Sequence, residues 1–268
     1  FIYLLASLAL FILTACGGDD ATKGQLTASN ATMLSLSVSD APVDDLSQVV
    51  VCFFQIELKS EMGDSVFEVG GSENMIAPNE LCLDENEEVI GNTVGLDLLL
   101  VTGDNVFTLL ENILIESGDY SQVRLMMADG SYGVFAYDDV TKVTIKVPSN
   151  ELKLDGFIAP IGGELDLTAE FDLRKSMTNP VGQDHYILKP RGVRLVDNSE
   201  SATIAGSVDM VSLCDFDYPE MVGSIYLYQG FGYTLAELAD NNGSDQDAYA
   251  STVVNYDGEN YSYEIGLL

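Results

Sequence analysis

The segment Glu164-Leu165-Asp166-Leu167-Thr168-Ala169-Glu170-Phe171 carries the clearest fold signal in the chain. Apolar and polar side chains alternate along it, which is the period-two pattern of a half-buried β-strand. The pattern therefore predicts a strand with a core face and a solvent face. The core face is formed by Leu165, Leu167, Ala169 and Phe171, and the solvent face by Glu164, Asp166, Thr168 and Glu170.

Similar runs recur along the chain, with turn residues between them. Those that predict strands are residues 34–39, 49–58, 122–127 and 142–147. Residues 93–114 have Leu and Val at spacings that suit either a short helix or a strand, and both alternatives stay open. Short strands separated by turn signals predict an all-β protein built from immunoglobulin-like or prealbumin-like β-sandwiches.

The charge distribution divides the chain near Asn198. Residues 198–268 contain 12 acidic residues and no Lys or Arg, whereas ten bases lie between Lys59 and Arg194. Strand patterns restart at 203–208, 222–228, 249–254 and 261–265. We therefore predict a first β-sandwich domain at residues 33–197 and a second β-sandwich module at 198–268. Because residues 261–268 read as a strand without a following turn, the second module is expected to be truncated.

The first twelve residues form an uncharged apolar run, and Leu13-Thr14-Ala15-Cys16 follows directly. This order is typical of a secretory signal, and the four residues resemble a bacterial lipobox. We predict a lipoprotein signal peptide at residues 1–15, lipid attachment at Cys16 and a flexible tether at 16–32. A buried strand or a transmembrane helix are the alternatives, but a span needs about 20 apolar residues. In bacterial lipoproteins an Asp directly after the lipidated cysteine favours retention in the inner membrane. The resemblance to them, with Gly17 at this position, implies the outer membrane.

The chain has 43 acidic residues against 11 bases and a net charge of −32. This balance excludes a general nucleic-acid binder, because neutralising phosphates requires clustered Lys and Arg. An acidic coat for solubility and a divalent-cation binder are both compatible with it. The bases in the segment Lys189, Arg191 and Arg194 are expected to balance neighbouring acids.

Asp40, Asp44 and Asp45 flank a proline-containing turn and are the acids best placed to bind a metal. Converging carboxylates suit Ca²⁺, the one cofactor that the sequence suggests. The alternative is that Asp40 and Asp44 accept hydrogen bonds from backbone N–H groups of the turn, or pair with Arg174 and Lys175.

With Cys16 lipidated, three cysteines remain in an oxidising compartment. We predict that Cys52 and Cys82 form a disulfide and that Cys214 pairs with a cysteine beyond residue 268. A buried free thiol is the alternative for each.

The sequence shows little sign of catalysis. His185 is the only histidine, and a Ser-His-Asp triad would need it. We expect it to be an exposed residue at a strand end, with Asp184 pointing to the opposite face. Paired carboxylates are unavoidable among so many acids, so they carry no signal for glycoside hydrolysis. Residues 240–247 are rich in oxygen ligands but lack the spacing of an EF-hand loop.

Five segments in order resemble a bacterial lipoprotein family known only as domain of unknown function 4382. The resemblance covers roughly residues 33–197 and implies no activity. The segments are Ser39-Asp40-Ala41-Pro42-Val43-Asp44-Asp45, Gly118-Asp119-Tyr120-Ser121-Gln122-Val123-Arg124-Leu125, Val147-Pro148-Ser149-Asn150-Glu151-Leu152-Lys153-Leu154, Phe171-Asp172-Leu173-Arg174-Lys175-Ser176 and Leu188-Lys189-Pro190-Arg191-Gly192-Val193-Arg194-Leu195.

The C-terminal part resembles the carboxypeptidase-regulatory or prealbumin-like modules of exported proteins. The matching residues are Gly206-Ser207-Val208 and Ile225-Tyr226-Leu227-Tyr228. This resemblance implies a binding or structural appendage.

Together these observations predict a lipid-anchored protein of the cell envelope with a binding or structural role. The expected partners are the membrane, through the lipid anchor, and an envelope protein or glycan. The alternatives are a hydrolase that uses carboxylates and an accessory region of a larger exported enzyme.

Overall fold

The computed structural model describes residues 30–41, 46–72, 76–102, 105–209, 223–234, 238 and 248–268. Strands are the predominant secondary structure of these residues, which also contain one short helix, α1 (Leu173–Ser176), and 3₁₀ turns at Leu98–Leu100, Pro148–Asn150 and Pro190–Gly192. The strands are, in chain order, β1 (Ala31–Ala41), β2 (Leu46–Ser60), β3 (Ser65–Glu68), β4 (Val94–Asp97), β5 (Phe107–Glu116), β6 (Gly118–Met127), β7 (Tyr132–Phe135), β8 (Lys142–Lys146), β9 (Glu151–Leu154), β10 (Phe157–Ala159), β11 (Glu164–Asp172), β12 (Met177–Thr178), β13 (His185–Leu188), β14 (Val193–Asp197), β15 (Ile204–Ser207), β16 (Ser224–Leu227), β17 (Ala250–Val253), β18 (Asn255–Tyr256) and β19 (Tyr261–Ile265).

Two sheets form the first part of the protein. The smaller sheet has the order β14-β11-β1-β5, in which β1 pairs parallel with β11 and antiparallel with β5. The larger sheet follows the order β10-β6-β2-β7-β8-β13-β12, with β3 and β4 also on β2 and β9 also on β6. Strand β2 is 15 residues long and runs through the middle of the larger sheet.

The hydrophobic core lies between these two sheets and confirms the all-β sandwich prediction. The central strands of both sheets contribute to one cluster, and burying each large aliphatic or aromatic side chain contributes about 1.5–3 kcal/mol. Most of the residues that β1 and β2 contribute are at most 1% exposed, among them Leu34, Leu36, Val38, Val49, Val51 and Phe53.

Residues 93–114, where helix and strand were both open, divide into three elements. Strand β4 is followed by the 3₁₀ turn Leu98–Leu100, and β5 begins at Phe107. The Asp97 carboxylate accepts hydrogen bonds from the backbone N–H groups of Leu99 and Val49, both at 3.2 Å. The leucines with helical spacing form only a single 3₁₀ turn. The Asp97 carboxylate connects the start of this turn to β2 by hydrogen bonds.

Strand β11 has the predicted core face, but the prediction for its solvent face is wrong at Thr168 and at Glu170, whose side chain is 12% exposed. The Thr168 residue is 0% exposed, and Ser37 and Ser39 of the neighbouring β1 are 4% and 2% exposed. Strand β17 packs against β1 and covers this part of the smaller sheet. The alternation of apolar and polar residues predicts the core face of β11 correctly. It contains no information about a later segment of the chain that covers the polar face.

The strands predicted after residue 198 are present as β15, β16, β17 and β19. They form a three-stranded sheet, β15-β19-β18, and a two-stranded sheet, β16-β17. Strand β14 ends at Asp197 and β15 begins at Ile204, while the division into two domains stays a prediction. Among the described residues, no helix has both the length and the apolar composition needed to cross a bilayer.

Candidate binding groove

A groove of about 1050 Å³ lies on the outer face of the larger sheet. Its floor is formed by β7, β8 and β13. Thr144 pairs with Tyr132 on one side and with His185 on the other, so these three side chains form a row across the sheet. Lys142 and Lys146 lie two positions to either side of Thr144 on the same face of β8.

One wall of the groove is residues 82–90, which we call the acidic hairpin. Its ends are joined by hydrogen bonds from the Asp84 N–H to the Glu88 carbonyl, at 2.8 Å, and from the Ile90 N–H to the Cys82 carbonyl, at 2.9 Å. The Asp84 carboxylate accepts the N–H groups of Glu88 and Asn86, and these backbone hydrogen bonds lower the pKa of Asp84. The negative charge of Asp84 therefore stabilises the turn of the hairpin.

The hairpin is fastened to β2 beneath it. Cys52 and Cys82 are placed as a disulfide with their Cα atoms 5.8 Å apart, inside the usual range of about 4.4–6.8 Å. Both cysteines are fully buried next to Val50. The structure thus brings together the two cysteines paired in the sequence analysis, and their oxidation state in the exported protein stays a prediction.

Two glycines allow this close packing. A Cβ atom on Gly95 would lie 2.6 Å from Cβ of Leu81, and one on Gly130 would lie 2.6 Å from the Leu83 carbonyl oxygen. Such distances leave no room for a side chain. The acidic hairpin is therefore held by the buried contact of Cys82 with Cys52 and by close packing at Gly95 and Gly130, which makes it a firm wall.

Charges of opposite sign face each other in the groove. Acidic side chains lie along the wall and the ends, whereas the two lysines lie on the floor; the acids are Asp84, Glu85, Glu87, Asp129 and Asp184. Lys142 Nζ lies 3.4 Å from Glu87 Oε1 and 5.0 Å from the centre of the Tyr132 ring. This exposed ion pair contributes about 0–1 kcal/mol, so a ligand can displace it at little cost.

Two predictions about His185 are wrong. Its side chain is 13% exposed, and its Nδ1 atom lies 3.5 Å from Asp184 Oδ1. The reason is that Asp184 lies in a bend before β13, where strand alternation does not apply. The histidine was expected to be exposed, but it forms part of the groove floor.

The proposed calcium ligands are only partly described. Asp40 is 4% exposed, and its backbone N–H donates to the Val101 carbonyl at 2.7 Å. Asp44 and Asp45 lie outside the described residues. Within the described part of the chain, no three His, Cys, Asp or Glu side chains are grouped to hold a metal ion. Calcium binding stays a prediction.

Several other predicted features fall outside the part of the chain that the structure describes. They are the signal peptide at 1–15, Cys16, most of the tether, Cys214 and the loop at 240–247.

A second group of contacts joins the sandwich to the C-terminal strands. The Arg174 guanidinium donates to Ser224 Oγ at 2.7 Å and to Ser251 Oγ at 3.3 Å, and lies 5.2 Å from the Tyr226 ring centre. Arg194 lies 4.7 Å from the Tyr249 ring centre. These cation–π contacts were not predicted, although the absence of bases and the abundance of Tyr after residue 198 are the signal for them.

The basic segment before Asn198 was expected to balance acids. Arg194 does so, because its Nε donates to Glu170 Oε2. Burial raises the pKa of Glu170 against the opposing influence of Arg194. Arg191 instead donates to the Lys175 backbone carbonyl at 2.9 Å.

Fold and groove together define an all-β sandwich domain with a polar cleft on an outer sheet face. The chain belongs to the family described as Domain of unknown function (DUF4382), whose model matches residues 31–190. All residues that line the groove lie inside this range, whereas β14 to β19 lie beyond it. The search of curated proteins and the search of solved structures each found no match.

Proposed function

We propose that the chain is a lipid-anchored protein of the cell envelope that binds a polar ligand in the groove, without catalysing a reaction. The observation that carries this proposal is the groove itself, with its firm acidic wall and its floor of Thr144, His185 and two lysines. Sites for small molecules are concave, largely preformed and few in a protein. This groove is concave and preformed.

The lining favours a polar ligand over an apolar one. Pockets for drug-like apolar ligands are lined mainly by hydrophobic and aromatic side chains. Here the aromatic ring on the floor is Tyr132, and Lys142 covers one of its faces. The lining also includes apolar side chains such as Ile90, Met127 and Ile187, and the exposed side chains beside them offer hydroxyl, amine, imidazole and carboxylate groups. A glycan, or a polar segment of an envelope protein, has the hydrogen-bonding groups to match them.

A fastened wall also supports a binding role. The disulfide and the close approach at Gly130 hold the acidic hairpin before any ligand arrives. Less conformational freedom is then lost on binding, which favours affinity.

The carboxylates of the groove do not favour the hydrolase alternative. An acid catalyst at neutral pH needs a raised pKa, whereas backbone hydrogen bonds lower the pKa of Asp84. Within the described part of the chain, the carboxyl group whose pKa is raised is that of Glu170, which is paired with Arg194 outside the groove.

The test is a thermal-stability screen of the protein with glycans and with peptidoglycan fragments, which present both sugars and peptides. A ligand at 100 times its Kd adds about 2.7 kcal/mol. We expect Thr144→Trp to abolish the stabilisation by filling the groove, because Thr144 is exposed at its centre. Thr108→Trp, at an exposed threonine of the smaller sheet, is the matched control and should keep it. A ligand that stabilises both variants equally would contradict binding in the groove.

A further inference from the structure

One end of the sandwich carries an uncharged apolar turn. Residues 156–163, Gly-Phe-Ile-Ala-Pro-Ile-Gly-Gly, contain no charge although Asp155 and Glu164 flank them. We call this segment the apolar turn. Ile158 and Ile161 are 73% and 79% exposed at its surface. Large aliphatic side chains displayed together on a strongly acidic protein indicate a contact surface.

The apolar turn is firmly built. The Phe157 ring stacks on Tyr120 with their centres 4.7 Å apart, and Ala159 is 2% exposed. A Cβ atom on Gly156 would lie 2.1 Å from the Tyr120 carbonyl oxygen, so the backbone here packs directly on β6. The two isoleucines are therefore held outward by a rigid support.

The N-terminal segment joins the sandwich at this same turn. The Gly162 N–H donates to the Ala31 carbonyl at 3.0 Å, and the Met33 N–H donates to the Gly163 carbonyl at 2.9 Å. Fourteen residues of chain lead from Cys16 to Asn30, and any flexible segment of that length spans about 20 Å. A lipid on Cys16 would thus hold the apolar turn close to the membrane surface.

We propose that Ile158 and Ile161 insert into the surface of the bilayer that holds the lipid anchor. This inference rests on the proposed attachment at Cys16. The favoured surface is one of neutral, zwitterionic lipid, because the net charge of −32 repels anionic headgroups. Two insertions at one end, lipid and turn, fix the orientation of the protein in a way that a tether alone does not.

This orientation also sets how far the groove lies from the membrane. Val50, which pairs with Tyr132 of the groove floor, and Ser60, which pairs with Tyr120 beneath the apolar turn, are ten residues apart in β2. That separation is roughly 33 Å along an extended strand. The groove therefore lies on the side of the sandwich, with Tyr132 of its floor well away from the apolar turn.

A contrasting turn lies beyond the groove. Tyr137 and Val140 are 75% and 77% exposed, but Asp138 and Asp139 stand between them. Charges at the tip oppose insertion into lipid. This turn thus provides a control position with equal exposure and a different expected environment.

The chain contains no Trp, so a single introduced Trp reports on its own surroundings. We would bind the lipidated full chain to phosphatidylcholine vesicles and compare Ile161→Trp with Val140→Trp. For Ile161→Trp we expect emission at shorter wavelength and about twofold quenching by brominated phosphatidylcholine, since interfacial side chains lie about 5–10 Å into the headgroup boundary. Val140→Trp should show neither change. Ile158→Trp repeats the test at a second exposed position.

Sedimentation of the vesicles separates the two claims. A protein that sediments with vesicles while its Ile161→Trp and Ile158→Trp emission stays unchanged has a lipid anchor, and our inference about the turn is then wrong. Equal quenching at Val140→Trp would also overturn it. A lipidated-chain preparation that does not sediment would overturn both the anchor and the insertion of the turn.

Discussion

Gly130 sets how closely the acidic hairpin approaches the sheet. Its φ is +95°, a conformation that L side chains rarely adopt, and its Cα faces the Leu83 carbonyl oxygen. Backbone cannot move aside as a flexible side chain can. The geometry of the groove wall therefore depends on a residue that lacks chemical function, and neither alternation nor a motif in the sequence indicates that role.

We predict that Gly130→Ala destabilises the protein in two ways. The positive φ costs about 1 kcal/mol for any L residue, and overpacking against the Leu83 carbonyl adds about 1–3 kcal/mol. Gly182→Ala is the matched control, because Gly182 has a φ of +77° but nothing within 4 Å of its Cβ position. Urea unfolding of both variants measures the difference. Equal losses in the two variants would mean that the contact with Leu83 contributes nothing.

At the level of elements, the acidic hairpin is the structure that converts a flat sheet face into a groove. Cys82 of the hairpin contacts Cys52 of β2, and hydrogen bonds to the Asp84 carboxylate close the turn. The contact is long-range, because Cys52 and Cys82 are 30 residues apart. Alternating apolar and polar residues predict the strands of the sheet. They do not predict where a loop such as the acidic hairpin packs.

We predict that the exported protein contains the Cys52–Cys82 disulfide. Mass spectrometry of unreduced peptides should find this link. The Cys52–Cys82 bond closes a loop of 30 residues, so reduction should lower the free energy of unfolding by about 3–4 kcal/mol. Alkylation of Cys52 in the native, unreduced protein would contradict the pairing.

The strands were predicted well where one face is buried and the other is in water. Strand β11 follows the alternation of its sequence along its core face, and β1, β2, β6 and β8 appear where their patterns placed them. The failures have one cause. Thr168 is covered by the C-terminal strands, and His185 forms the groove floor, so both depend on contacts between segments distant in sequence. Local periodicity does not contain that information.

At the scale of the whole molecule, the apolar turn lies at one end of the sandwich, where β1 begins. The groove and the contacts with the C-terminal strands lie toward the other end, where Arg174 and Arg194 contact Tyr226 and Tyr249. Two of the bases that precede Asn198 thus contact the C-terminal segment 198–268, which contains no Lys or Arg.

The calcium prediction belongs at this scale, because the net charge of −32 makes any salt stabilising. We predict that millimolar CaCl₂ raises the Tm more than NaCl of matched ionic strength does. The Asp40→Asn, Asp44→Asn double variant should lose the difference, since amides supply only neutral oxygens. Equal gains from the two salts would reduce the acids to a solvated coat.

Lipid attachment at Cys16 is the central proposal, because the proposed place of action and the insertion of the apolar turn both depend on it. The most direct measurement is to express the full chain and its Cys16→Ser variant in a bacterium and to compare the membrane and soluble fractions. The lipid anchor predicts that the unchanged chain is found in the membrane fraction. A serine at position 16 cannot replace the cysteine thiol as the acceptor of the lipid. The Cys16→Ser variant should leave that fraction. Retention of the Cys16→Ser variant in membranes to the same extent would contradict lipid anchoring at Cys16.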